Sequence, residues 1–158
     1  MHVAYPGSFD PPTLGHLSMI ERAASLFERL TIIVAFNPDK NSFLNADERV
    51  DLLVQSCKHL KNVHVIKFSG LLVDGLKEIN SDAIIKGIRT ADDLHNEQLM
   101  AETNRVMSGI ETIFFPSEGK YQFISSSLIK QIFTMGGSVK PFLPENVHTY
   151  LLNKHEKS

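Results

Sequence analysis

The chain has 158 residues, 42% of them hydrophobic and 22% charged, the size and balance of one globular domain with a sizeable core. Its 16 basic and 18 acidic side chains leave a formal net charge of −2, so nothing favours a polyanionic backbone or a membrane surface as partner, and neither nucleic acid nor membrane is expected. No run approaches the ~20 apolar residues of a membrane span, the opening Met1-His2-Val3-Ala4-Tyr5-Pro6-Gly7 lacks the regions of a signal peptide, and the single cysteine, Cys57, fits a reducing compartment; the cytoplasm is the expected location.

Strand-like and helix-like segments alternate along the chain. Val3-Ala4-Tyr5 is a short strand running into Pro6-Gly7. Ile20, Ala23, Ala24 and Phe27 repeat at helical spacing within a helix over 16–28. The continuous β-branched run from Leu30 to Phe36 predicts a strand buried on both faces. Asn45 and Glu48 have capping-box spacing, and the helix behind them sets Val50, Leu53, Val54 and Cys57 on one side, with Cys57 packed in the core. Further strands are expected at Val63 to Phe68, Ala83 to Ile85 and Thr112 to Phe115. Helices are expected at Leu71 to Ile79, Ala91 to Met107, from Ser125 to a stop at Gly136-Gly137, and in a short last segment opened by Pro144. The final 153–158 is expected to fray. The pattern β-α-β-α-β-α-β-α-β-α-α predicts a single α/β domain over 1–158: a Rossmann-like, doubly wound, five-stranded parallel sheet with helices on both faces.

Ligands of such folds bind beyond the carboxyl ends of the strands. After the first strand come Gly7, Ser8, Phe9 and Asp10, two prolines, and Thr13-Leu14-Gly15-His16 opening a helix. A glycine turn, a hydroxyl and a histidine at a helix N-terminus suit an anion. Lys40 follows the second strand and can reach toward the strand ends. Lys86-Gly87-Ile88-Arg89 follows the fourth, two cations flanking a glycine in the manner of a phosphate clamp. Tyr121-Gln122-Phe123-Ile124 leads into Ser125-Ser126-Ser127, three serines where a cap needs one. A solvated lysine, surface charge or a plain cap would explain any one of these alone. Four anion-compatible groups at strand carboxyl ends together describe a pocket for a polyphosphate.

The segment Ser8-Phe9-Asp10-Pro11-x-Thr13-x-Gly15-His16 resembles the T/S-x-G-H signature of the class I nucleotidyltransferase superfamily. With Lys86-Gly87-Ile88-Arg89, Phe123-Ile124-Ser125-Ser126-Ser127 and Phe142-Leu143-Pro144-Glu145-Asn146-Val147 in this order, the chain is similar over about residues 3–152 to the bacterial phosphopantetheine adenylyltransferase family. The resemblance implies adenylyl transfer from ATP to 4′-phosphopantetheine, giving dephospho-coenzyme A and pyrophosphate. It implies ATP contacts at Ser8, Phe9, His16, Gly87, Ile88, Arg89, Glu97, Tyr121, Gln122, Phe123, Ile124, Ser125, Ser126 and Ser127. Acceptor contacts are implied at Ser8, Lys40, Leu72 and Lys86, and transition-state stabilisation at His16. It also implies Mg²⁺ with ATP, coenzyme A as a feedback inhibitor and a homohexamer. Lys86 departs from a commoner arginine, and Leu94 and Asn96 from aromatics in some relatives.

The nucleophile of that reaction is already an anion, so no general base is required. None of the seven histidines forms an H-E-x-x-H pair, and no metal ligand is assigned to a protein side chain. Two alternatives stay open on the residues: another nucleotidyltransferase of the superfamily with a different phosphate acceptor, and a non-catalytic nucleotide-binding sensor on the same fold.

Overall fold

The computed structural model describes all 158 residues, and the five expected strands form in it: β1 (His2–Gly7), β2 (Arg29–Ala35), β3 (Val63–Phe68), β4 (Ala83–Ile88) and β5 (Glu111–Pro116). They make one parallel sheet in the order β3-β2-β1-β4-β5. The connecting helices are α1 (Leu14–Leu26), α2 (Ala46–Ser56), α3 (Leu72–Glu78) and α4 (Ala91–Ser108), followed by α5 (Ser126–Thr134) and α6 (Glu145–Glu156). This is the doubly wound α/β architecture that the alternation predicts.

Side-chain alternation along the central strands divides the core in two. Val3, Tyr5, Leu30, Ile32, Ala83 and Ile85 pack with Met19, Ile20 and Ala23 of α1 and Leu53 and Cys57 at α2. Ala4, Ile33 and Ile84 pack on the other face with Leu76 of α3. A third cluster joins Leu44 and Leu52 to Ile129 of α5 and Val147 and Leu151 of α6.

That third cluster corrects two expectations. Because α2 lies between the sheet and the α5–α6 layer, its buried arc is Arg49, Leu52, Leu53 and then Cys57, and Val54 is exposed. The C-terminal helix runs to Glu156 where a frayed tail is expected. It is tied by Glu48, whose carboxylate accepts from Tyr150 Oη and Lys154 Nζ, both at 2.6 Å. Cys57 is buried as expected, and burial pushes its thiol up to about 12. No helix is long and apolar enough to cross a membrane.

The pairing of β1 is unequal on its two sides. It runs beside β2 for six residue pairs, from His2↔Arg29 to Gly7↔Val34. With β4 it pairs only at Val3↔Ala83 and Ala4↔Ile84. Pro6, which has no N–H to donate, follows two residues after that ladder ends. The sheet therefore opens between the carboxyl halves of β1 and β4, where the winding direction reverses and a ligand crevice is expected.

Leu151 is 1% exposed in the third cluster. Leu151→Ala should lower the unfolding free energy by about 2–5 kcal/mol through lost burial and the cavity left behind. Denaturant titration with an unchanged m-value would register it.

Candidate active site

The opening between β1 and β4 holds a cavity of about 300 Å³. Tyr5 and Gly87 stand on its strand side, and Thr13, Gly15, His16, Ser18, Met19 and Arg22 line it from α1 and its cap. Arg89, Ser117, Glu118, Tyr121 and the run Ile124 to Ser127 complete the wall.

Helix α1 begins earlier than the apolar spacing suggests because Thr13 caps it. Thr13 Oγ1 accepts from the His16 backbone N–H at 3.3 Å, and the Thr13 N–H donates to His16 Nδ1 at 3.1 Å. This is a capping box with histidine in the place usually taken by Glu or Gln. It fixes the tautomer. A backbone N–H can only donate, so Nδ1 is an acceptor and the neutral ring carries its proton on Nε2. Burial, and after it the Arg89 guanidinium, lower the His16 pKa to about 4. In the folded protein His16 is a neutral N–H donor at Nε2.

Phe9 supports this ring. It is 1% exposed, takes a left-handed backbone (φ 49°), and sets its edge against His16 at 4.9 Å and Tyr5 at 5.3 Å between centroids. A Cβ on Gly7 would lie 3.0 Å from the Phe9 ring, so close packing favours glycine there. At Gly87 a Cβ would meet only Met19 Sδ at 3.9 Å, which leaves the strand backbone open to the cavity.

The two cations around Gly87 do not form one clamp. Lys86 shares the sheet face of Ile84, outside the cavity, and its Nζ lies 3.5 Å from Glu97 of α4. Leu72 packs on that same face. Arg89 lines the cavity, bonded through Nε to Asp93 Oδ2 at 3.1 Å and through Nη1 to the Ile124 carbonyl at 3.3 Å. Lys40 is exposed on the loop after β2. The three serines divide their work. Ser125 caps α5 by accepting from the Leu128 N–H, Ser126 Oγ donates to the Pro11 carbonyl at 2.8 Å, and Ser127 has no protein partner for its hydroxyl.

Of the other expected site residues, Ser8 is exposed on the turn after β1, while Ile88 continues β4 and accepts from the Ser117 N–H. Gln122 Nε2 donates to the Arg89 carbonyl at 2.6 Å, and Phe123 is exposed and packs edge-on against Phe142. None of these four lines the cavity.

Several lining residues lie outside the motifs: Ser18, Arg22 and Glu118. Gly15, Ser18, Met19 and Arg22 follow i, i+3, i+4, i+7, so continuing the helical face begun at Gly15 finds them. Ser18 donates to Glu118 at 2.7 Å, and Arg22 donates to the Pro116 carbonyl at 2.7 Å and covers the Phe115 ring.

Residues 4–132 match the cytidylyltransferase-like family. Over 157 residues the chain is 45% identical to the phosphopantetheine adenylyltransferase of Psychromonas ingrahamii, covering 99% of this chain and 98% of the relative. The chain belongs to the phosphopantetheine adenylyltransferase family. The same enzyme of Carboxydothermus hydrogenoformans is 44% identical over 154 residues (97% and 95% of the two chains), and that of Caldanaerobacter subterraneus is 44% identical over 160 residues, covering both chains whole. The cavity is therefore the candidate centre of a nucleotidyltransferase.

The depressed His16 pKa gives a signed prediction. Between pH 6.5, the ordinary imidazole value, and about 4, the unfolded chain binds the proton that the folded ring refuses. Stability from this group is complete above pH 6.5 and is lost as pH falls toward 4. Asparagine at position 16 keeps an acceptor in the place of Nδ1 and has no titrating ring. Thermal unfolding of His16→Asn should fall less steeply across that window than that of the parent chain.

Proposed function

We propose that this chain transfers the adenylyl group of ATP to 4′-phosphopantetheine, forming dephospho-coenzyme A and releasing pyrophosphate. Full-length similarity to relatives of that name supports the reading. The observation that carries the chemistry is the capped, neutral His16 at the opening between β1 and β4.

An oxygen of the acceptor's phosphate attacks the α-phosphorus in line. The bond from that phosphorus to the β-phosphate bridge breaks, and pyrophosphate leaves with the electron pair. The attacking monoester loses its second proton near pH 6, so it arrives as a dianion and no side chain needs to deprotonate it. Catalysis then rests on positioning and on donors aimed at the growing charge. His16 Nε2–H is the donor held for that role. Arg89, the Ser127 hydroxyl and the backbone at Gly87 and Ile88 hold the nucleotide phosphates, with Tyr121 to Ser126 closing over them and Phe9 fixing the histidine. Lys86 and Leu72, on the opposite sheet face, hold the acceptor with Lys40 and Ser8. Glu97 sets the position of Lys86.

No group of three or more His, Cys, Asp or Glu side chains converges to hold a metal ion. Mg²⁺ belongs to the reaction as the counter-ion of ATP, arriving on the substrate's own phosphates. Coenzyme A carries the same pantetheine arm as the acceptor and should compete for its site as a feedback inhibitor. Leu99, Met100, Val106 and Met107 of α4 are 48–75% exposed and supply an apolar face for a homohexamer. The lone buried thiol fits a cytoplasmic enzyme.

With ATP, Mg²⁺ and phosphopantetheine, pyrophosphate should appear. Release instead with another phosphate acceptor would support a different transferase, and ATP binding without release a sensor. His16→Asn should lower kcat about 10²–10³-fold, the usual worth of one donor to a developing charge. Its kcat/KM for the acceptor should keep the rise near pH 6 that belongs to the substrate phosphate; loss of that rise would make His16 a proton-transfer group. For the assembly, Val106→Glu should reduce the sedimenting mass from that of a hexamer.

A further inference from the structure

Arg49 on α2 is 3% exposed, and none of the carboxylates lies within 4.0 Å of it. Its partners are all main-chain carbonyls. Nη1 donates to Ser8 at 2.9 Å and to Ala35 at 3.2 Å, and Nε donates to Asn45 at 3.2 Å. Ser8 is the turn after β1. Ala35 and Asn45 bracket the loop of residues 36–45, which carries Lys40. One guanidinium therefore holds both ends of that loop and the turn beside it.

A second buried charge ties the same two segments. Asp10, 6% exposed, accepts from the backbone N–H groups of Phe43 and Leu44 at 2.9 and 2.7 Å. Its nearest cation, Lys130, is 4.0 Å away, at the limit of an ion pair. A structural tie alone could be made by neutral groups. A buried cation without an anion is costly, and it becomes favourable when an anion binds nearby. The carboxyl ends of parallel strands also present carbonyl dipoles that repel a phosphate, and Arg49 occupies two of these, at Ser8 and Ala35.

We propose that Arg49 is a positioning residue for the phosphate of the acceptor, setting the Ser8 turn against the Lys40 loop and supplying the uncancelled charge that makes this end of the site favourable to a phosphate monoester. The proposal rests on the acceptor being phosphopantetheine.

The test compares binding of phosphopantetheine with binding of pantetheine, which has the same arm without the phosphate. The parent enzyme should prefer the phosphorylated ligand; absence of that preference overturns the acceptor reading itself. In Arg49→Lys and Arg49→Met, the preference should shrink at least about tenfold, and KM for the acceptor should rise more than kcat falls. Dissociation constants for ATP and pantetheine should stay within about threefold. Folded variants that keep the preference, or that lose affinity equally for all three ligands, overturn the role of Arg49. Should both variants fail to fold, the parent enzyme still decides. The Arg49 Nε–H resonance should move on adding phosphopantetheine and stay put on adding pantetheine; an unmoved resonance with both ligands overturns the proposal.

Discussion

The molecule depends on how far β1 is paired on each side. Six pairs with β2 hold the central strand in the sheet, and two pairs with β4 let it part from its other neighbour. A parallel sheet satisfies its backbone groups by pairing, so parting strands expose N–H and C=O groups that need other partners. At this end those groups face a cavity with Gly87 on one side and the Gly7–His16 segment on the other. The unpaired stretch is a defect in the sheet and at the same time the room in which two substrates can meet.

Around that opening, charges are held by partners of the opposite sign or by carbonyls, and few are free. Arg89 is engaged by Asp93 and Lys86 by Glu97. Such pairs hold the two cations in place, and on the proposed function a phosphate shares their donors. Ionic contacts at partly exposed positions are worth little on their own. Exchanging a carboxylate for a phosphate there is a small change in free energy, which suits a site that must release a pyrophosphate after every turnover.

Much of this was legible in the sequence because it is local. The β-branched run from Leu30 onward, the Asn45–Glu48 cap and the serines before α5 are governed by neighbours within a few residues, and they form as expected. What the sequence hid depends on partners far along the chain. Glu48 holds Tyr150 and Lys154 across more than 100 residues, so α6 outlasts its own polar composition. Arg49 in Asp47-Glu48-Arg49-Val50 looks like an exposed helix charge until α2 is found between two layers. The motif located His16, but its neutrality comes from burial and from Arg89, and neither can be read from a spacing.

That neutrality bears on why a histidine suits this position better than a lysine. A permanent cation would hold the triphosphate of the ground state about as firmly as the transition state, and uniform binding does not raise turnover. A neutral N–H donor interacts modestly with the substrate and more strongly as negative charge grows on the oxygens around the α-phosphorus. The Thr13 box keeps the donor aimed by occupying Nδ1, and Phe9 keeps the ring from turning. On the proposed mechanism the cap of α1 belongs to the catalytic apparatus, since the hydrogen bond that begins the helix also decides which nitrogen of His16 carries the proton.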